Sequence, residues 1–416
     1  MDIAVLGSGV VGVTLTWELV QRGHRVTVVD RAASAGLATS FANGGQLSYS
    51  YTDSLADPSL LSKIPGMVLG RDPAFELQLS ADPKLVAWGL RFLRNCTGER
   101  ALRNTRNVLR LALYSRERLH ALLQEQPLEF DYRRGGKLHV HADAAGLAKA
   151  RERVALKAAW SCPQEVLSAD QCRDREPALR AWQGEIAGGV FSPLDESGDA
   201  YRFTEALAAA CRQAGAEFLF ATRVTGFEAK GGAVQAVVTD RGRLGADVYV
   251  LALGPQSPLL DRDLGLSLPV YPLKGYSVTV PVGPLAPKLS ITDTQRKVVY
   301  CVLGQRLRIA GMAELAGYDE QTDPSKIERL LAAGRSAFPE GGDYGQRQHE
   351  WVGFRPATPD SAPILGPSAY SNLLLSTGHG MLGWTLACGS ATVVADLVDG
   401  RAPAIDLDGL TLDRFG

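Results

Sequence analysis

The chain has 416 residues, 45% of them apolar and 21% charged, with a formal net charge of −1. That length allows a cofactor domain plus a second domain, and so balanced a charge gives no field for steering a polyanion, which argues against a nucleic-acid partner. The six cysteines, Cys96, Cys162, Cys172, Cys211, Cys301 and Cys388, show no C-x-x-C pair or short spacing to histidine, so no metal is expected and they read as reduced thiols of a cytoplasmic protein.

The first residues, Met1-Asp2-Ile3, carry no basic segment and no small-residue cleavage site follows, so the start is not read as a signal peptide. No stretch is expected to supply the ~20 apolar residues that cross a bilayer; peripheral contact with a membrane or with another protein chain stays open. Residues 3–6 form an apolar run of strand length that ends in Gly7-Ser8-Gly9-Val10-Val11-Gly12 and opens an amphipathic helix. After Gly23 a second strand, 26–29, closes on Asp30, near the ~20 residues beyond the turn that a dinucleotide fingerprint requires. The first glycine permits the turn, the second lets backbone N–H groups approach a pyrophosphate, and the third lets helix and strand pack closely. Asp30 would accept from an adenosine ribose, with Arg31 and the backbone of Val10 and Val11 as further contacts.

A nicotinamide dehydrogenase would continue with alternating strands and helices. Instead the chain enters Ser40-Phe41-Ala42-Asn43-Gly44-Gly45-Gln46, small and polar enough to run along a flat ring system; an ordinary turn is the weaker alternative. Residues 202–214 read as a helix, 217–220 as a strand, and 224–238 as a hairpin beginning at Val224. The apolar strand 246–253 ends in Gly254. A last strand, 372–377, breaks into Gly378-His379-Gly380-Met381-Leu382-Gly383 before a helix over about 385–398. The positive end of that helix suits a flavin pyrimidine, whose negative charge grows as the ring takes up a hydride. These features favour FAD over NAD.

With these segments placed, the chain resembles the D-amino-acid dehydrogenase family of the small-subunit type, related to glycine oxidase, sarcosine oxidase and D-amino-acid oxidase. The resemblance runs through Gly7 to Gly12, Ser40 to Gln46, Phe130-Asp131-Tyr132 with Gly136-Lys137-Leu138, Asp195-Glu196-Ser197-Gly198-Asp199, and Pro272-Leu273-Lys274-Gly275-Tyr276-Ser277. It continues over Arg355-Pro356-Ala357-Thr358-Pro359-Asp360 and Gly378-His379-Gly380 with Gly383-Trp384-Thr385. It implies an α/β fold, a Rossmann-like FAD-binding domain of glutathione-reductase type with an inserted α+β substrate domain carrying an antiparallel sheet. The FAD domain is expected at 1–80, 200–262 and 345–416, and the substrate domain at 81–199 and 263–344. Gly44 stands where many relatives have an Asn-Ala-Gly run, and Leu47-Ser48-Tyr49 replaces a more proline-rich continuation. These departures leave room for a cyclic imino acid such as D-hydroxyproline or proline. No Cys or His anchor for a covalent flavin is evident, so FAD is expected to be held noncovalently.

The expected chemistry is hydride transfer from the substrate Cα to flavin, with electrons passed on to a quinone, a redox subunit or O2. Positioning dominates such a reaction, and a substrate carboxylate calls for a planar cation. Arg355, in the proline-stiffened Gly353-Phe354-Arg355-Pro356, is the first candidate; the structural alternative is an arginine tying its own loop. Tyr276 is the second, raised above an ordinary packed tyrosine only by the resemblance. His379, between two glycines, suits a cofactor contact better than a base. Rival readings are an NAD-dependent dehydrogenase and a noncatalytic or electron-transfer flavin subunit. The arginine-rich helices near 83–94 and 101–124 read as a solvated or partner-facing surface.

Overall fold

The computed structural model describes residues 1–68, 75–77, 82–260 and 264–416. The strand Asp2–Leu6 is apolar on both faces, so it is stable only where both are covered. It lies inside a six-stranded sheet ordered Ile364–Pro367, Leu373–Thr377, Val248–Leu251, Asp2–Leu6, Arg25–Val29, Glu217–Leu219. Pairing is parallel throughout except at Ile364–Pro367, which runs antiparallel to its neighbour. Helices Val10–Gln21, Ala200–Gln213 and Gly383–Val398 share one core on this sheet's first face. On the other, Phe227, Val234 and Val237 of a small antiparallel sheet (Val224–Lys230, Ala233–Thr239, Gly242–Leu244) cover Ala4, Leu6 and Leu251.

Two sequence expectations change here. The segment Gly380–Val398 is, at 19 residues, long and apolar enough to cross a membrane. Two-thirds of it is buried, however, and its helix packs between Val10–Gln21 and Gly98–Glu125, so its apolarity serves the protein interior. For the same reason Gly98–Glu125 is not simply a solvated surface: Val108, Leu111, Ala112, Leu119 and Leu122 are buried in the nucleotide-side core, while Arg100, Arg103 and Arg106 are exposed.

The second sheet has nine strands, with the path His349–Ala357, Tyr271–Pro281, Arg306–Leu315, Val298–Leu303, Ser290–Asp293, Lys137–His141, Gly188–Ser192, Glu165–Ser168, and Phe75–Leu77 alongside Arg306–Leu315. It is mixed rather than antiparallel, since Lys137–His141 runs parallel to Ser290–Asp293 and Phe75–Leu77 parallel to Arg306–Leu315. Val298–Leu303 and Arg306–Leu315 form a hairpin, with Leu303 opposite Arg306. His349–Ala357, assigned from sequence to the FAD-binding part, is the edge of this second sheet, in register with Tyr271–Pro281. The domain boundaries expected at 80 and 262 lie outside the described residues.

Candidate active site

The N-termini of helices Val10–Gln21 and Gly383–Val398 face one cavity of about 940 Å³. Neither helix is capped by the side chain of its own N-cap residue; Ser40 Oγ accepts from Val10 N (3.0 Å), and the positive ends of both helices remain available to an anion. Of the residues expected to hold the cofactor, Gly7, Gly9, Val10, Val11, Asp30, Arg31, Ser40, Asn43, Gly44, Gln46, Val224 and Gly254 line this cavity. So do His379, Gly380, Met381, Leu382 and Gly383. Gly12, Gly45 and Gly378 stand behind its wall. A Cβ on Gly12 would lie 2.0 Å from the carbonyl oxygen of Gly7, so its lack of a side chain permits the turn to close on the helix. Asp30 already accepts from Ser8 N and Oγ through Oδ2 (2.6 and 2.8 Å) and from Ala32 N through Oδ1 (2.8 Å). Its carboxylate therefore sets the glycine turn and keeps spare lone pairs for a ribose.

Segment 42–48 crosses the second sheet strand by strand. Ser277 Oγ donates to Ala42 O (2.6 Å), Arg308 Nη1 to Asn43 O (3.3 Å), Gln46 Nε2 to Ser290 Oγ (2.7 Å) and Lys137 Nζ to Ser48 Oγ (2.8 Å). The sequence predicts that the glycines at 44 and 45 clear a flavin ring. The structure gives a different reason: a Cβ on Gly44 would come within 2.9 Å of Val299, and one on Gly45 within 3.1 Å of Leu303. The missing side chains face the sheet, letting the segment lie flat against it while its other side borders the cavity.

Arg355 projects into the same cavity. Its Nη1 donates to Met312 O (2.9 Å), and Met312 is held at φ 60°, a conformation costing a residue with a side chain on the order of 1–3 kcal/mol. The guanidinium lies over Gly275, where a Cβ would fall 2.4–2.6 Å from its atoms. Among the described residues no carboxylate pairs with it, and burial pulls its pKa down to about 10. A half-buried cation without a counter-ion calls for an anion.

Tyr276 lines the same cavity, but its hydroxyl is already engaged. It is 2% exposed, and its hydroxyl donates to Glu314 Oε2 (2.8 Å), which also receives Lys326 Nζ (2.9 Å). Strand alternation sets this packing: Ser277 faces segment 42–48, and the Tyr276 ring packs among Val278, Val280 and Leu330. Burial and Glu314 push the phenol strongly upward, and its proton is committed to Glu314. His379 is 2% exposed, shares a hydrogen bond with Ser390 Oγ (3.0 Å), and is pulled by burial to about 3. It is a neutral wall residue.

Sequence reasoning missed two sets of wall residues. Lys137, 1% exposed, stands out in the sequence only as one position of the Gly136-Lys137-Leu138 motif. Helix Pro83–Asn95, read as an outward face, contributes Leu85, Trp88 and Phe92 to the cavity wall, and Trp88 Nε1 donates to Ala357 O (2.8 Å). A signal for the latter lay in the spacing of Leu85, Trp88 and Phe92, which share one helical face.

The sequence model described as FAD dependent oxidoreductase matches residues 2–397. The chain belongs to this family. The open glycine turns and helix ends that border the cavity above fit a dinucleotide such as FAD. The chain is 48% identical over 419 residues to the D-amino acid dehydrogenase of Paramagnetospirillum magneticum, covering 100% of this chain and 99% of that one. It is 42% identical to the D-amino acid dehydrogenase of Dechloromonas aromatica, covering 97% and 98%. Among solved structures, glycine oxidase from Geobacillus kaustophilus superposes with a TM-score of 0.78 at 24% identity, covering 99% and 98% of the two chains. L-proline dehydrogenase from P. horikoshii gives 0.78 at 18%, covering 100% and 97%. At these identities the two structures speak for the fold alone.

Proposed function

We propose that this FAD-dependent oxidoreductase dehydrogenates a small D-amino acid or cyclic imino acid, with Arg355 as the anchor of the substrate carboxylate. The observation that carries the reading is Arg355 itself: a desolvated guanidinium without a carboxylate partner among the described residues, in the wall of the cavity that the dinucleotide turns border. The names of the two full-length relatives support the substrate class. FAD, when bound, accepts a hydride from the substrate Cα.

The chain's own residues bind and orient. Met312 O fixes the guanidinium through Nη1, leaving its other N–H groups for a forked contact with the acid. Leu85, Trp88, Phe92, Leu273 and Leu315 supply an apolar wall that takes a small side chain or ring and excludes water. His379, neutral and bound to Ser390, offers no base, so the substrate ammonium gives its proton to solvent before hydride transfer.

The finer architecture is part of the same reading: an FAD-binding portion of glutathione-reductase type, holding FAD noncovalently, and an inserted substrate portion bearing the mixed sheet with His349–Ala357 on its side. Exposed Leu61, Val86, Leu90, Leu93 and Leu259 support delivery of electrons to an apolar acceptor such as a quinone, by an enzyme of the cytoplasm that meets the inner face of the membrane. The test is anaerobic addition of D-amino acids, glycine, sarcosine and proline derivatives to the FAD-loaded enzyme. Bleaching of the yellow flavin by a D-amino or imino acid is expected; retention of colour with every member would favour a role in electron transfer alone.

A further inference from the structure

Lys137 is the second buried cation in the cavity wall, and the proposed anchoring by Arg355 gives it no task. It is 1% exposed; its ammonium donates to Ser48 Oγ (2.8 Å) and lies 4.9 Å from the centre of the Tyr51 ring. Among the described residues no carboxylate forms an ion pair with it. Ser48 is tied in turn, through its backbone N–H, to Thr385 Oγ1 (2.9 Å) in the first turn of helix Gly383–Val398. The ammonium thus stands one hydrogen-bonded residue away from an uncapped helix N-terminus that borders the same cavity. Two positive elements of independent origin, a side chain on the second sheet and a helix end on the first, converge on one end of the cofactor site.

We propose that Lys137 is a potential-tuning cation that stabilises the negative charge the flavin acquires on reduction, acting together with the N-terminus of helix Gly383–Val398. The inference rests on the FAD site and is independent of which substrate Arg355 holds. No bond to Lys137 forms or breaks in the hydride transfer itself; above its pKa the amine takes up one proton from solvent on reduction. The substrate loses two electrons and its Cα hydrogen as hydride, the flavin gains them, and Lys137 contributes charge.

The surroundings give this charge a pH signature. Burial pulls the ammonium down to about 8, opposed by Asp195 and Cys301 and reinforced by Lys157. Of the other charged or titratable groups around it, His139 is kept neutral by burial, Asp53 is taken by Lys157 and Arg153, and Tyr51 is pushed up to about 12. Below pH about 8 Lys137 is protonated whether the flavin is oxidised or reduced, and it leaves the slope of potential against pH unchanged. Above it, the neutral amine binds a proton from solvent when the flavin is reduced. That extra proton makes reduction tenfold harder per pH unit, which for two electrons is about 30 mV per pH unit of added slope.

The experiment equilibrates FAD-loaded wild type, Lys137→Met and Lys137→Arg with reference dyes across pH, without amino acid, and measures sulfite binding to the oxidised flavin. Wild type is expected to steepen above pH about 8. Lys137→Met should lose that break and bind sulfite at least tenfold more weakly, while Lys137→Arg keeps affinity within about twofold. A wild-type slope without a break, or sulfite affinity of Lys137→Met within about twofold of wild type, overturns the proposal. If Lys137→Met fails to retain FAD, the wild-type slope decides. Because no amino acid is present, failure here is distinct from failure of the Arg355 reading, which would leave the potentials intact and abolish bleaching by substrate.

Discussion

Replacing Gly275 by Ala isolates the positioning of Arg355 from its charge. The added Cβ would sit 2.4–2.6 Å from three guanidinium atoms, where ordinary contact begins at 3.4 Å, so the group must retreat by about 1 Å. The backbone of strand Tyr271–Pro281 accepts alanine, and the added Cβ meets the guanidinium of Arg355 rather than a glycine turn, so FAD binding should persist. A misplacement of about 1 Å in a positioning group costs on the order of 10²-fold. The expected result is a fall in kcat/KM of about that size for the best amino acid, read from anaerobic flavin reduction under limiting substrate, with unchanged FAD content. Arg355→Met should lose more, since the forked charge-assisted contact, worth ~1.5–3 kcal/mol per hydrogen bond, disappears entirely. If Gly275→Ala reduces flavin within about twofold of wild type while Arg355→Met is crippled, the stacking of Arg355 on Gly275 does not position it and the reasoning fails.

Gly12→Ala places a Cβ 2.0 Å from the carbonyl oxygen of Gly7; stability should drop by ~3 kcal/mol, the upper end of overpacking, with loss of FAD in the purified protein. Tyr276→Phe removes a donor from buried Glu314, which keeps Lys326; we expect a stability loss of ~1–3 kcal/mol in urea titration and kcat/KM within about twofold of wild type. His379 has a folded pKa near 3 against an ordinary 6.5, so the unfolded chain binds a proton that the folded one refuses as pH falls through that window. His379→Asn should therefore flatten the acid-side loss of stability by up to ~1.4 kcal/mol per pH unit between those values, and identical slopes for the two proteins would count against a buried neutral imidazole. With no protein base assigned, kcat/KM should rise with pH as the substrate amine deprotonates, and a flat profile under rate-limiting chemistry would require a base within the cavity.

The nucleotide half was legible because its signals are local: an apolar run, a glycine turn and a terminal acid recur within one short stretch, and each has a single good structural solution. The C-terminal return, Leu373–Thr377 into Gly383–Val398, was legible for the same reason. Sidedness in the second sheet was not. Tyr276 and Ser277 are neighbours in sequence, yet one faces Glu314 and the other Ala42, and with both faces of Tyr271–Pro281 buried no alternation of polarity marks which is which. Gly44 lines the cavity and Gly45 stands behind its wall, and both spare the second sheet; a glycine's missing side chain does not say which neighbour it spares. Lys137 was invisible as a site residue since its meaning comes from Ser48 and Thr385, two segments far away in the chain.

The claim on which the account depends is that the dinucleotide turns and Arg355 serve one reaction in one cavity. A crystal structure of the FAD-loaded enzyme with an unreactive carboxylic acid that competes with substrate tests it most directly. We predict the flavin between segment 42–48 and the turn at 378–383, with the acid forked on the guanidinium of Arg355. An acid bound elsewhere, with Arg355 still held only by Met312, would contradict it.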